Sequence, residues 1–331
     1  MPDQLPLFDT AAAPAREAAA DSSLDARFAP LRATASRLSP LVRFGTSSWS
    51  FPGWQGIVYP ASRSEGWLSR EGLREYARHP LLGTVGIDRS YYAPVPEEDF
   101  RRYAGQLPEG FPCCCKAPAR VTSPFGLVRG STEPNPGFLS APAFVDELVE
   151  PAARAFTGHA GPFVLQFPPM LRRSGLDPAA VVDGLDGFLS ALPREFQYGV
   201  ELRDAALLTP AYARVLARHG AAHIYNLWTA MPMPAEQAEA LPPEAMPFLM
   251  VRLLSRPGTT YHERRKDFLP FDRIVAPFDR MRDEVVGLLA RAIARAIPAY
   301  VLVNNKAEGS APLTIEALAS RLAGAGPGPR A

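Results

Sequence analysis

From residue 41 onward the chain repeats one pattern. A short apolar run is followed by a polar or Gly/Pro turn, and then by a stretch whose apolar positions recur at helical spacing. The runs are Val42–Thr46, Thr84–Asp88, Cys113–Ala117, Phe163–Phe167, Tyr198–Leu202, Ala222–Asn226, Phe248–Leu253 and Tyr300–Asn304. They are continuous rather than alternating in apolar character, as strands covered on both faces should be. Between them, Asp177-Pro178 reads as an N-cap with proline at the first helical position. Val181, Leu185, Phe188 and Leu192 then form one face. Phe144, Leu148 and Ala152 stripe the preceding segment, and Phe278, Met281, Val285, Leu288 and Leu289 stripe a later one. Arg218-His219-Gly220 ends a helix, and Ala311-Pro312 opens a last one with Ile315, Leu318 and Leu322 inward. The Pro-rich connection at 227–247 is not expected to hold a full helix.

Eight strand–helix repeats imply parallel strands joined by right-handed crossovers. An open doubly wound sheet would satisfy the same pattern. Its Gly-rich phosphate turn is missing, however, because Thr46-Ser47-Ser48-Trp49 follows the first strand. The expected fold is therefore a single TIM-type (β/α)8 barrel over residues 41–324. It is preceded by a partly disordered tail (residues 1–40) that is mobile over its first two dozen residues, with a short helix near 24–38, and followed by a disordered end at 325–331. A length of 331 residues suits this, since such barrels use about 250 residues for one domain.

Composition narrows the class. A net charge of +1 argues against a general nucleic-acid or membrane footprint and leaves room for a local basic site. The three cysteines are consecutive, Cys113, Cys114 and Cys115, so in a strand they point to alternate faces and read as reduced core thiols. With no apolar span and no secretory start, the expected location is the cytoplasm.

In a barrel, polar residues at the C-terminal strand ends build the site. Those positions carry Thr46, Ser47 and Trp49, then Asp88, Tyr91 and Tyr92, then Lys116, Gln166, Glu201, Arg203, Asn226, Arg252, Asn304 and Asn305. Glu201 interrupts an apolar strand, and a buried carboxylate needs a partner, so Lys116, Arg203 or Arg252 should lie beside it. It is a candidate general base or an ion pair closing the mouth, and Lys116 a proton-transfer or anion-binding ammonium or the partner of Glu201. Trp49, Trp54, Tyr91 and Tyr92 could form a stacking wall or simply pack. The loop Tyr261–Lys266 adds a basic cluster, including Arg264 and Arg265. No cofactor is implied. Asp88, Glu201 and Asp204 could supply oxygens to a divalent metal, but the five histidines show no ligand spacing.

These motifs together resemble the domain-of-unknown-function 72 (YecE-like) family. Thr46-Ser47-Ser48-Trp49-Ser50 with Trp54 and Tyr59-Pro60, then Asp88-Arg89-Ser90-Tyr91-Tyr92, then Lys116-Ala117-Pro118, are similar to its first three elements. Gly161–Pro169, Val200-Glu201-Leu202-Arg203 and Asn304-Asn305 are similar to the later ones, so the likeness spans roughly residues 42–323. The resemblance implies a TIM-type barrel and brings no established activity. Departures fall at Gly86, where the family commonly has Glu, and at Asp204, Leu254 and Lys306, each near a common His.

The first functional expectation is an enzyme or binder for a small anionic substrate, phosphorylated or carboxylated, with a sugar-like molecule among the candidates. In it Glu201 acts as base, Lys116 and Arg252 neutralise charge, and Asn304 and Asn305 orient the substrate. The second is nucleic-acid binding or phosphodiester chemistry, motivated by Arg264-Arg265-Lys266 and the nearby aromatics. A third feature bears on partners: Gln4-Leu5-Pro6-Leu7-Phe8 resembles the pentapeptide by which bacterial replication proteins dock on the DNA sliding clamp.

Overall fold

The computed structural model describes residues 12–128, 131–171, 175–258 and 266–325. Eight short strands, β1 Val42–Thr46, β2 Leu82–Ile87, β3 Cys113–Cys115, β4 Phe163–Gln166, β5 Tyr198–Glu201, β6 Ala222–Leu227, β7 Leu249–Leu253 and β8 Ala299–Val303, form one parallel sheet. All eight expected runs are strands, with ends shifted by a residue or two. Every residue of β3 through β8 is buried, which is why those runs carry no alternation.

The order β3-β2-β1-β8-β7-β6-β5-β4 curls the sheet into a nearly closed TIM-type barrel. β1 pairs with β2 on one side and with β8 on the other, in the register Val42↔Ala299 through Thr46↔Val303. The remaining seam, β3 against β4, is stitched only by isolated bridges, Cys113↔Ala160 and Lys116↔Val164. Three backbone bonds cross it, from Cys113 N to His159 O (2.7 Å), from Gly161 N to Cys113 O (2.9 Å) and from Ala117 N to Val164 O (2.9 Å).

The helices follow their sequence signals. Pro178–Ser190 starts where the Asp177 carboxylate accepts Ala179 N–H, and it buries Val181, Leu185 and Phe188. Pro210–His219 ends on Gly220, whose φ of 62° closes the last turn in the left-handed region. Asp279–Ala294 and Ala311–Gly324 bury their expected stripes, except that Phe278 precedes the first of them and is half-buried. Phe144, Leu148 and Ala152 are buried along three consecutive pieces, of which Val145–Val149 is a π turn. The Pro-rich connection holds only the short helix Pro234–Ala240 and a 3-10 turn at Pro243–Ala245.

The N-terminal region differs from expectation. A helix spans Ala12–Ala35, longer than the segment 24–38 anticipated and reaching well into the stretch read as a tail. It packs on Ala311–Gly324, burying Leu24 and Phe28, with Phe28 edge-on to His79 (5.0 Å) and Arg27 paired to Glu316. Among the described residues, no helix is long and apolar enough to cross a membrane. Gln4, Leu5, Leu7 and Phe8, together with residues 259–265 and 326–331, lie outside the described residues.

Candidate functional site

The C-terminal ends of the strands gather a charged cluster inside the barrel. Register sets it up: Gln166 pairs with Glu201 across β4 and β5, and Asn226 with Arg252 across β6 and β7. Paired residues share a face, so all four side chains lie on one side of the sheet. Arg252 reaches across from β7. Its Nη1 donates to Glu201 Oε2 (2.5 Å) and Gln166 Oε1 (3.2 Å), and its Nη2 to Asp88 Oδ1 (3.3 Å). Glu201 is 0% exposed and Arg252 1%. The other oxygen of Glu201 accepts Nε (3.1 Å) and Nη2 (3.0 Å) of Arg203, whose guanidinium lies 3.8 Å over the ring of Trp228.

This geometry recasts Glu201. Burial pushes its carboxyl upward, but Arg252, Arg203 and Lys116 outweigh that and hold it below the ordinary range. Both oxygens are committed to arginines. Glu201 thus works as the anion that fixes two guanidiniums, and the geometry gives it little capacity as the general base expected from sequence.

Lys116 sits at the end of β3, beside the end of β2: its amide donates to Ile87 O (3.3 Å), so Asp88 leaves the neighbouring strand at the same level. The side chain is 6% exposed, and its Nζ lies 3.8 Å from the centre of the Tyr91 ring. Among the described residues, no carboxylate oxygen comes within 4.0 Å of that nitrogen, since Asp88 and Glu201 are held by the arginines. Burial, opposed by Asp88 and Glu201 and reinforced by Arg252 and Arg203, brings Lys116 down to about 8.

Other expected site residues take supporting roles. Thr46 bonds Tyr76 Oη (2.9 Å) and Ser48 O (2.8 Å). Trp49 and Trp54 are interior: Trp49 donates to Leu68 O (2.8 Å) and Trp54 to Asn305 Oδ1 (3.2 Å), so neither belongs to a stacking wall. Asn304 caps the turn Asn305–Ala307, and Asn305 Oδ1 also accepts Ala311 N–H at the start of the last helix. Asn226 donates to Leu202 O (2.7 Å). Of the aromatic set, only Tyr91 and Tyr92 reach the surface, and Tyr92 is 79% exposed. Four buried polar atoms in these strand ends and loops, Ser47 Oγ, Asn226 Oδ1, Arg252 Nε and Asn305 Nδ2, have no partner among the described protein atoms.

Beside the cluster, Tyr91 and Tyr92 form one wall of an open groove of about 330 Å³. The others come from Ala119, Ser123, Phe125–Val128, Ser131 and Pro168-Pro169. This groove and Trp228 were missed from sequence. An aromatic immediately after the last residue of β6, two positions past Asn226, was the available signal for Trp228, whereas the groove needs the fold of the 123–139 loop. Among the described residues, no three His, Cys, Asp or Glu side chains group as metal ligands. The Asp204 carboxylate instead accepts Met170 N–H (2.7 Å) and Leu171 N–H (3.3 Å). Gly86, one of the departures from the family pattern, faces Ser47: a Cβ there would meet Ser47 O at 2.9 Å, so a side chain would displace the end of β1.

Fold and site together define a parallel TIM-type barrel with a buried ionic cluster at its C-terminal mouth. The family model described as "Protein of unknown function DUF72" matches residues 43–330, and the chain belongs to that family. No curated protein matches the sequence significantly. Among solved structures, a DUF72 family protein from Enterococcus faecalis is similar at 17% identity and a TM-score of 0.61, over 85% of this chain and 95% of that one. A DUF72 family protein from Thermotoga maritima is similar at 16% identity and a TM-score of 0.57, over 85% of this chain and 97% of that one. At these identities the likeness is one of fold.

Proposed function

We propose that the mouth of the barrel binds a small anionic molecule, carboxylated or phosphorylated, and acts on it. One observation carries the reading: three cations, Lys116, Arg203 and Arg252, share a desolvated cluster with two carboxylates, Asp88 and Glu201, and both carboxylates are taken by the arginines. An ammonium this buried, without a carboxylate in contact, is costly unless an anion completes it. The unpartnered Ser47, Asn226 and Asn305 atoms offer polar contacts of the kind a bound molecule satisfies. Isothermal titration with inorganic phosphate, small carboxylates and sugar phosphates tests this. Saturable binding is expected, weakening as the pH rises through about 8, where Lys116 loses its charge. Lys116→Met should weaken it by roughly tenfold or more, the worth of one charge-assisted contact. Absence of binding across the panel, or equal binding by the variant, would overturn the reading.

A second reading rests on Gln4-Leu5-Pro6-Leu7-Phe8. A Gln followed by a Leu-Phe pair in a short peptide matches the chemistry of an apolar clamp pocket with a polar rim, which would place the barrel in DNA maintenance. A peptide of residues 1–12 should bind a bacterial sliding clamp at around micromolar affinity, because ordering the peptide offsets its contacts. Combined Leu7→Ala and Phe8→Ala replacement should abolish that binding. Equal, negligible signals from both peptides would end the idea.

A further inference from the structure

We propose that Lys116 is a covalent catalyst that forms an imine with its substrate, and that the substrate is therefore a small carbonyl compound bearing an anionic group, such as a 2-oxo acid or a phosphorylated ketone. This rests on the anion-binding reading and adds the reacting group. A sequence observation supports it. Thirty-two of the 35 basic residues are arginine, and the three lysines are Lys116, Lys266 and Lys306. A chain that uses arginine almost everywhere for positive charge carries lysine at the centre of this cluster. An ammonium can become a nucleophilic amine, and a guanidinium cannot.

The geometry meets the needs of that chemistry. Lys116 lies at a C-terminal strand end, nearly excluded from water, and its Nζ touches the face of Tyr91 rather than a carboxylate. The groups facing it are Asp88 and Tyr91 from the end of β2, Glu201 and Arg203 from β5, and Arg252 from β7. Burial, aided by the two guanidiniums against Asp88 and Glu201, disfavours its protonated form and brings it down to about 8, so a useful fraction is neutral near neutral pH. Tyr91, whose ring the amine faces, also lines the adjoining groove of about 330 Å³, a space suited to a small molecule.

The step balances without an outside oxidant or reductant. The neutral amine attacks the carbonyl carbon, forming a C–N bond while the carbonyl electron pair moves to oxygen. That oxygen takes the proton of the Tyr91 hydroxyl, which burial keeps protonated beforehand, and the carbinolamine nitrogen gives one to Asp88. Asp88 returns that proton to the hydroxyl, which leaves as water, and the Tyr91 phenolate regains its proton when the imine is hydrolysed. The cationic imine is left beside the carboxylates of Asp88 and Glu201, while Arg203 holds the substrate's anionic group.

The test is reductive trapping on the full chain. The protein is incubated with pyruvate, glyoxylate or dihydroxyacetone phosphate and sodium cyanoborohydride near pH 7.5, and modified peptides are mapped by mass spectrometry. With only three lysines and the N-terminal amine available, the outcome is readable. Labelling of Lys116 should be roughly tenfold or more faster than of Lys266, since the Lys116 amine is partly neutral near pH 7.5 and lies beside the bound substrate. Excess inorganic phosphate should slow it, and Lys116→Arg should remove it while keeping phosphate binding measurable by titration. Labelling without preference for Lys116, or unaffected by phosphate, would overturn the proposal. If phosphate binds but no carbonyl probe is trapped on Lys116, the imine alone fails. If phosphate and all three probes fail to bind, the anion reading fails with it.

Discussion

Replacing Arg252 with methionine should cost the folded chain about 3–5 kcal/mol, the range for removing one partner of a buried ion pair. The guanidinium is 1% exposed and is shared among Glu201, Gln166 and Asp88. Methionine fills much of the aliphatic stem, so packing changes little, but Glu201 is left fully buried with Arg203 as its remaining ion-pair partner. Chemical denaturation followed by tryptophan fluorescence measures the loss. Adding Glu201→Gln to Arg252→Met should recover a large part of it, because the penalty then lies in an uncompensated charge rather than in missing volume. A double variant as unstable as the sum of the two single ones would show that the cluster is not electrostatically coupled.

Lys116→Met should move stability the other way. The folded protein holds Lys116 at about 8 against an ordinary 10.5, so charging this side chain costs the fold about 3 kcal/mol at pH 7. Methionine resembles the neutral form and avoids that cost. The sign with pH follows. Between about 8 and 10.5 the unfolded chain binds the proton and the folded chain does not, so the wild type gains stability as the pH rises. The advantage of the variant is therefore full below about pH 8 and fades toward pH 10.5. Unfolding curves at pH 7, 8.5 and 10 measure the gap, and an advantage that is absent or independent of pH would contradict the charged, buried state. A residue that weakens the fold yet occupies the centre of its mouth fits a site selected for chemistry.

The barrel was legible in the sequence because strands covered on both faces have no choice but to be apolar throughout, and Cys113–Cys115 or Tyr300–Val303 can be little else. The charged positions stood out for the same reason: Glu201 and Arg252 interrupt runs that otherwise shed polarity. What the sequence does not carry is partnership. Arg252 meets Asp88, 164 positions away, only because the sheet curls round, and no local signal announces that contact. The Trp49 and Trp54 side chains look like ligand-facing aromatics until the loop that bears them folds inward. The helix Ala12–Ala35 was underestimated because its Ala-rich sequence has no apolar stripe. Leu24 and Phe28 have a surface to pack on only once the last helix is in place.

The seam between β3 and β4 gives the ionic cluster a mechanical meaning. A hoop yields where its join is weakest, and here two bridges do the work that a full ladder does elsewhere. Arg252 grips both lips of that join, Asp88 beside β3 on one side and Gln166 at the end of β4 on the other, and Lys116 is itself the upper stitch. The same guanidinium that would greet an anion is thus a clasp. The charges of the mouth and the closure of the hoop along its weakest line thus depend on one and the same side chain.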